Sequence, residues 1–203
     1  MSPPYAFVQF SSAELAAFLA KHPDRSLFYK EDKKRIRYFN SDDLYGMFAG
    51  TTSVNFFAAI LPTTKQIAGL AKLQDSPHKG QEHITWLNYV SVDKQHRNKG
   101  IATELFNLAG RHLIANDRTL KESGYTLFGS NFLQPLIARF KEANPALKSI
   151  EGSPNHAPCA TDLEELEWME ANIPNHKLKF PELHKEYMER ISHPRKSPLD
   201  FAR

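Results

Sequence analysis

The chain has 203 residues, 41% hydrophobic and 24% charged, with a formal charge of +3; that is enough for one α/β domain with a core plus an appendage, and it excludes wholesale disorder. No apolar run approaches the roughly 20 residues of a membrane span, the start Met1-Ser2-Pro3-Pro4-Tyr5 lacks the basic and apolar stretches of a secretory signal, and the single cysteine, Cys159, excludes an internal disulfide, so a cytoplasmic protein is expected. The charge is too small to imply nucleic acid by itself and suits an anionic small molecule.

In chain order, the alternating, aromatic-rich Tyr5 to Phe10 predicts an opening strand. Ser11 and Glu14 form a capping-box pattern that starts a helix running to about Lys21, before Pro23. The charged stretch 26–40 reads as surface, and Ser41-Asp42-Asp43-Leu44 as the start of a second short helix. Three β-rich runs follow, Asn55 to Leu61, Gln66 to Leu73 and Ile84 to Val92, and their short links favour antiparallel neighbours. At Ile101 the pattern changes to helical period, with Ile101, Leu105, Leu108 and Leu113 on one stripe as far as Ile114. Thr119 to Thr126 predicts a further strand, residues 128–131 a turn, and Leu133 to Ala143 a helix ended by Asn144-Pro145. Beyond about position 150 proline recurs. Residues 152–161 read as a linker, and 162–172 and 181–191 as two amphipathic helices. The boundary is placed near 150, with a domain at 1–150 and an extension at 151–203.

The segment that carries chemistry runs from Tyr89 to Thr103: a strand, a short basic turn and a helix start containing glycine. The first N–H groups of a helix lack internal acceptors and lie at the positive end of its dipole, which makes them a cradle for a pyrophosphate. Gly100 lets the backbone approach such a ligand, Arg97 and Lys99 add charge, and Thr103 adds a hydroxyl. The rival phosphate motifs, G-x-x-x-x-G-K-[ST] and G-x-G-x-x-G, are absent from the sequence.

Arg97-Asn98-Lys99-Gly100-Ile101-Ala102 resembles the R/Q-x-x-G-x-G/A signature of the GNAT acetyltransferase superfamily, and the element order over roughly residues 5–145 is similar to that family's. The resemblance implies an α+β fold: a GNAT-like mixed, mostly antiparallel central sheet flanked by helices, here with a helical C-terminal extension. It implies acetyl-coenzyme A as co-substrate. The backbones of Val90 and Val92 would hold the pantetheine arm as an added strand, and Arg97, Asn98, Lys99, Gly100, Ile101, Ala102 and Thr103 would hold the pyrophosphate. It also implies direct attack by an acceptor amine on the acetyl group, the acceptor being a small molecule, a protein or an aminoacyl-tRNA.

One position departs from the family's pattern. Phe140 stands where a tyrosine often protonates the departing thiolate, and a phenyl ring cannot donate a proton. Another group serves, or solvent does, or the protein is a catalytically weak interaction module acting through a protein or nucleic-acid partner. Tyr125 is the substitute candidate for the acid, alongside its plainer reading as a half-buried aromatic. For the base, Glu82 is preferred among Asp75, His78, Glu82 and His83, with Asn88 able to orient a water. No metal site is expected, because His156, Cys159, His176, His184 and His193 lack paired spacing. The apolar stripes after 150 pack on the core, pair two copies into a homodimer, or wall the acceptor cleft.

Overall fold

The computed structural model describes residues 4–22, 54–122 and 129–151. The expected short helix at Ser41, the linker, both C-terminal helices and Tyr125 lie outside the described residues. Two compact units divide the chain: Met1–Ser123 with Ile137–Glu151, and Gly124–Leu136 with Gly152–Arg203.

The first unit is built on a six-stranded sheet in the order β1-β2-β3-β4-β5-β6. Its strands are β1 (Ala6–Ser11), β2 (Val54–Ile60), β3 (Ile67–Asp75), β4 (Ile84–Val92), β5 (Thr119–Glu122) and β6 (Ser149–Ile150). The first four pair antiparallel, and β4–β5 and β5–β6 pair parallel. The architecture is therefore α+β with a mixed, mostly antiparallel sheet. Helix α1 (Ser12–Lys21) follows β1, and α2 (Ile101–Ala115) connects β4 to β5. The connections between the parallel neighbours, 93–118 and 123–148, are long enough for the crossovers that parallel pairing requires.

Local signals explain most boundaries. The capping box at α1 is formed: the Ser11 amide donates to Glu14 Oε2 at 2.7 Å, and the Glu14 amide donates to Ser11 Oγ at 3.3 Å. Strand β3 extends two residues past the expected Leu73, because Gln74 and Asp75 stay paired with Trp86 and Thr85. Strand β5 is described only to Glu122. In the second unit the expected turn at 128–131 is a π-helical turn, Gly129–Leu133. It leads into α3 (Gln134–Ala143), a helix that crosses the division between the units. Strand β6 was not anticipated; two residues are too short to show a period.

The sheet has two differently covered faces. On one, Leu15 and Leu19 of α1 pack with Val54, Phe56, Ala58, Ile60, Ile67 and Leu70. On the other lie Ile101, Leu105, Phe106, Ala109 and Leu113, the buried stripe of α2. Gly69 of β3 admits α2 closely, since a Cβ there would stand 2.6 Å from Ile101 Cγ2. Phe140 of α3 fills a second notch, over Gly110, and meets Phe106 edge-on at 5.3 Å between ring centroids.

Candidate functional site

The turn between β4 and α2 is held by its own short-range bonds. Asp93 caps a 3-10 turn at Lys94–His96, accepting from the Gln95 amide at 2.8 Å, and its amide is fixed by the Ala68 carbonyl at 2.9 Å. Arg97 Nε donates to the Val92 carbonyl at 3.1 Å, which folds the guanidinium back over the end of β4. Lys99 Nζ donates to the Gln95 carbonyl at 3.0 Å. Asn98 and Gly100 both take left-handed backbone, at φ +60° and +76°. Glycine adopts this freely, and asparagine is among the few other residues that tolerate it. Tyr5, at the entrance to β1, ties in the turn from the side, its hydroxyl 3.0 Å from His96 Nδ1.

Gly100 is the N-cap of α2, and no side chain caps the helix. The Glu104 amide bonds back to the Gly100 carbonyl, so the amides of Ile101, Ala102 and Thr103 begin the helix without an intrahelical acceptor. The Ile101 side chain is buried in the core, leaving only its backbone for a ligand. Nothing lies within 4 Å of the place where a Gly100 Cβ would stand. An open depression of about 400 Å³ adjoins this point, lined by Pro4, Tyr5, Phe7, Lys99, Gly100, Thr103 and Glu104.

Strand β4 is divided lengthwise. Its ladder with β5 runs from Ile84/Thr119 to Leu87/Glu122 among the described residues, while Asn88–Val92 continue toward the turn. A bulge marks the change: Lys72 pairs with Tyr89 and Leu73 with Leu87, so Asn88 is the extra residue. Asn88 Nδ2 donates to Gln74 Oε1 at 2.6 Å. Val90 and Val92 pair with Ala71 and Gly69 on the β3 side.

The two proposed catalytic residues are not brought together with the turn among the described residues. Glu82 lies exposed in the β3–β4 loop, where the Gly80 amide donates to Oε1 at 2.9 Å and holds its carboxyl below the ordinary range. Arg118, bonded to the Glu82 carbonyl and to Asp75, clasps this end of the hairpin. The eight steps of β4 from Ile84 to Val92 span about 26 Å, so Glu82 and the turn occupy opposite ends of the strand.

A residue that the sequence reading passed over is Lys72. It lies in β3 between Phe56 and Tyr89 in register, and is 5% exposed. Burial pushes its ammonium down to about 8. The signal was present in the sequence: within Gln66 to Leu73 it is the only charged residue, on the same face as Leu70. Its cost predicts a stability effect. An unfolded lysine keeps its proton to about pH 10.4, so between about 8 and 10.4 the unfolded chain binds more protons and stability rises with pH. Below pH 8 the penalty is complete and constant. Lys72→Met should therefore stabilise the fold near neutral pH by on the order of 1 kcal/mol, the ammonium being partly screened by solvent. Urea unfolding of both proteins should show this gain shrinking as the pH passes from about 8 to about 10.4.

Among the described residues no group of three or more His, Cys, Asp or Glu is placed to hold a metal ion, and no helix is long and apolar enough to cross a membrane. A family model described as the acetyltransferase (GNAT) family matches residues 16–121, more than half of the chain. No curated protein matches the sequence. Solved structures similar to the chain include an aminoglycoside acetyltransferase from an uncultured soil metagenomic sample: 19% identity, 71% of this chain and 91% of that one covered, TM-score 0.44. A GNAT-family acetyltransferase from Staphylococcus aureus is 17% identical over 68% of this chain and 82% of its own, with a TM-score of 0.37. Another, from Streptococcus pneumoniae, is 18% identical over 55% and 68%, with a TM-score of 0.36.

Proposed function

Because the chain belongs to the GNAT acetyltransferase family, we propose that it binds acetyl-coenzyme A against the 97–103 turn and passes the acetyl group to an acceptor amine. The observation that carries this reading is the uncapped start of α2, with Gly100 in left-handed backbone and open space beside it. The amides of Ile101, Ala102 and Thr103 suit the two negative charges of a pyrophosphate, and the Thr103 side chain lines the adjoining depression. Bound acetyl-coenzyme A supplies an activated acyl thioester.

The chain's own part is to bind, orient and handle one proton. The backbones of Val90 and Val92 receive the pantetheine arm along the stretch of β4 beyond its described pairing with β5. Arg97, Asn98 and Lys99 set the shape and charge of the turn beneath the phosphates. The acceptor nitrogen forms its bond to the acyl carbon as the carbon–sulfur bond breaks, and one proton passes from nitrogen to sulfur. In this proposal Glu82, ionised at neutral pH, removes that proton through a water, and Tyr125 returns one to the thiolate. The acceptor reaches the site from solvent in a cytoplasmic protein. In this proposal residues 151–203 are not needed to bind the cofactor and serve a dimer contact.

The alternative of an inactive interaction module drew on Phe140. Its burial over Gly110 supplies a packing reason for a phenyl ring there.

Calorimetry with acetyl-coenzyme A, together with thiol release over an amine panel, tests the reading as a whole. Arg97→Ala should weaken binding by about 1–3 kcal/mol, the range for a charge-assisted hydrogen bond. The loss should shrink at high salt, because exposed charges are screened. Since Arg97 also holds the Val92 carbonyl, Arg97→Lys is the companion variant. A loss shared by both and indifferent to salt would mean that the staple matters and the charge does not.

A further inference from the structure

Strand β1 brings aromatic rings beside the start of α2. Phe7 pairs with Ala59, and Ala59 with Gly69, the glycine against which α2 packs. Directly paired residues project to one face of a sheet, so Phe7 lies on the α2 face, at the β1 edge. Tyr5 stands two positions earlier, its hydroxyl 3.0 Å from His96 Nδ1 and its ring edge-on to the imidazole at 5.7 Å. Tyr5 is buried and Phe7 half-buried. These two rings and Pro4 line the depression of about 400 Å³ that adjoins Gly100.

The residues that line this depression fall into two chemical groups. Those from the β1 end are apolar, and the one hydroxyl among them, that of Tyr5, is engaged by His96. Those from the start of α2 are polar and exposed: Lys99, Thr103 and Glu104. Lys99 gives one of its three donors to the Gln95 carbonyl and has two more to offer. Gly100 and Thr103 belong both to the depression and to the proposed pyrophosphate cradle. Whatever is attached to the outer phosphate therefore emerges beside the rings. The volume lies at the lower end of the roughly 300–1,000 Å³ of small-molecule pockets, which suits one base with its ribose.

Resting on the acetyltransferase reading, we propose that the depression takes the nucleotide end of coenzyme A, with the adenine against Phe7 and Pro4 and the ribose 3′-phosphate at Lys99. Coenzyme A continues past its pyrophosphate into these two groups, a flat π-system and a phosphate. Contact between a base and an aromatic ring removes apolar faces from water and needs no polar partner. An ammonium is a compact point charge suited to a phosphate. Glu104, the one carboxylate among the lining residues, repels a phosphate and accepts hydrogen bonds. It sets the exocyclic amine of the base on its own side and leaves the phosphate to Lys99. Tyr5 is a positioning residue: its bond to His96 ties the start of β1 to the turn, which fixes the spacing between rings and cradle.

Calorimetric titration of acetyl-coenzyme A into the full chain tests the underlying reading separately. Two further thioesters then dissect the nucleotide: acetyl-dephospho-coenzyme A, which lacks the 3′-phosphate, and S-acetyl-4′-phosphopantetheine, which lacks the adenosine as well. The parent should bind acetyl-coenzyme A about tenfold or more tighter than either. Phe7→Leu keeps the apolar bulk and should weaken acetyl-coenzyme A by about fivefold or more, the loss of one stacked base. The same variant should leave the phosphopantetheine thioester unchanged, and Phe7→Tyr should bind all three as the parent does. Lys99→Gln should bring acetyl-coenzyme A and its dephospho form to nearly equal affinity. The proposal is overturned by a parent that does not distinguish the truncated thioesters, by Phe7→Leu that binds all three as the parent does or loses all three alike, or by a dephospho difference that survives Lys99→Gln. A folded protein that does not bind acetyl-coenzyme A removes the functional reading itself, and this proposal with it.

Discussion

Gly100→Glu should abolish measurable acetyl-coenzyme A binding while the protein remains folded. Two effects separate at this position. The first is backbone strain: at φ +76° any side chain occupies the left-handed region, at a cost of about 1–2 kcal/mol. The second is charge. The space beside Gly100 is open, so the glutamate side chain enters without a clash and sets a carboxylate where the pyrophosphate would lie. Displacing the anion from two charge-assisted amide bonds forfeits about 3–6 kcal/mol, or two to four orders of magnitude in affinity. Gly100→Ala carries the strain without the charge and should lose stability but keep most of its affinity. Calorimetry and urea unfolding of the two variants decide the matter. If folded Gly100→Glu binds coenzyme A as the parent does, the 97–103 turn is not the pyrophosphate site.

Phe140→Ala should cost about 3–5 kcal/mol of stability, the usual loss for a buried phenylalanine. That is a large share of the stability of an ordinary domain. Phe140 is 8% exposed, and its Cε1 and Cζ would each stand 2.5 Å from a Cβ built on Gly110. The ring is seated where α2 has no side chain. Its Cζ is the atom that would carry a tyrosine hydroxyl, so tyrosine here would drive its oxygen toward α2. Gly110→Ala alone should also destabilise, because its methyl overlaps the ring. Combined with Phe140→Ala, the same methyl has room and fills part of the cavity. The double variant should therefore be more stable than the sum of the single losses predicts. Chemical unfolding of the four proteins measures this coupling, and strict additivity would show that the two residues do not share the notch.

The sequence by itself determined the local features. The capping box at Ser11 and Glu14, the strand Ile84–Val92 and the α2 stripe all follow from short-range pattern, because caps, alternation and helical period are written within a few residues. The turn at 97–103 was legible for the same reason: glycine before an apolar helix and basic residues ahead of it form a contiguous signal. Tertiary structure decided the rest. A two-residue strand such as Ser149–Ile150 exists only because β5 offers it an edge. The bulge at Asn88 appears only when β4 is set against β3, and it places Lys72 opposite the end of the proposed pantetheine track. Phe140 read as a missing proton donor in one dimension; the Gly110 notch, thirty positions earlier in the chain, makes it a packing residue. In each case the deciding partner is distant in sequence and near in space, and burial, which sets both the cost of a charge and the fit of a ring, belongs to the folded chain alone.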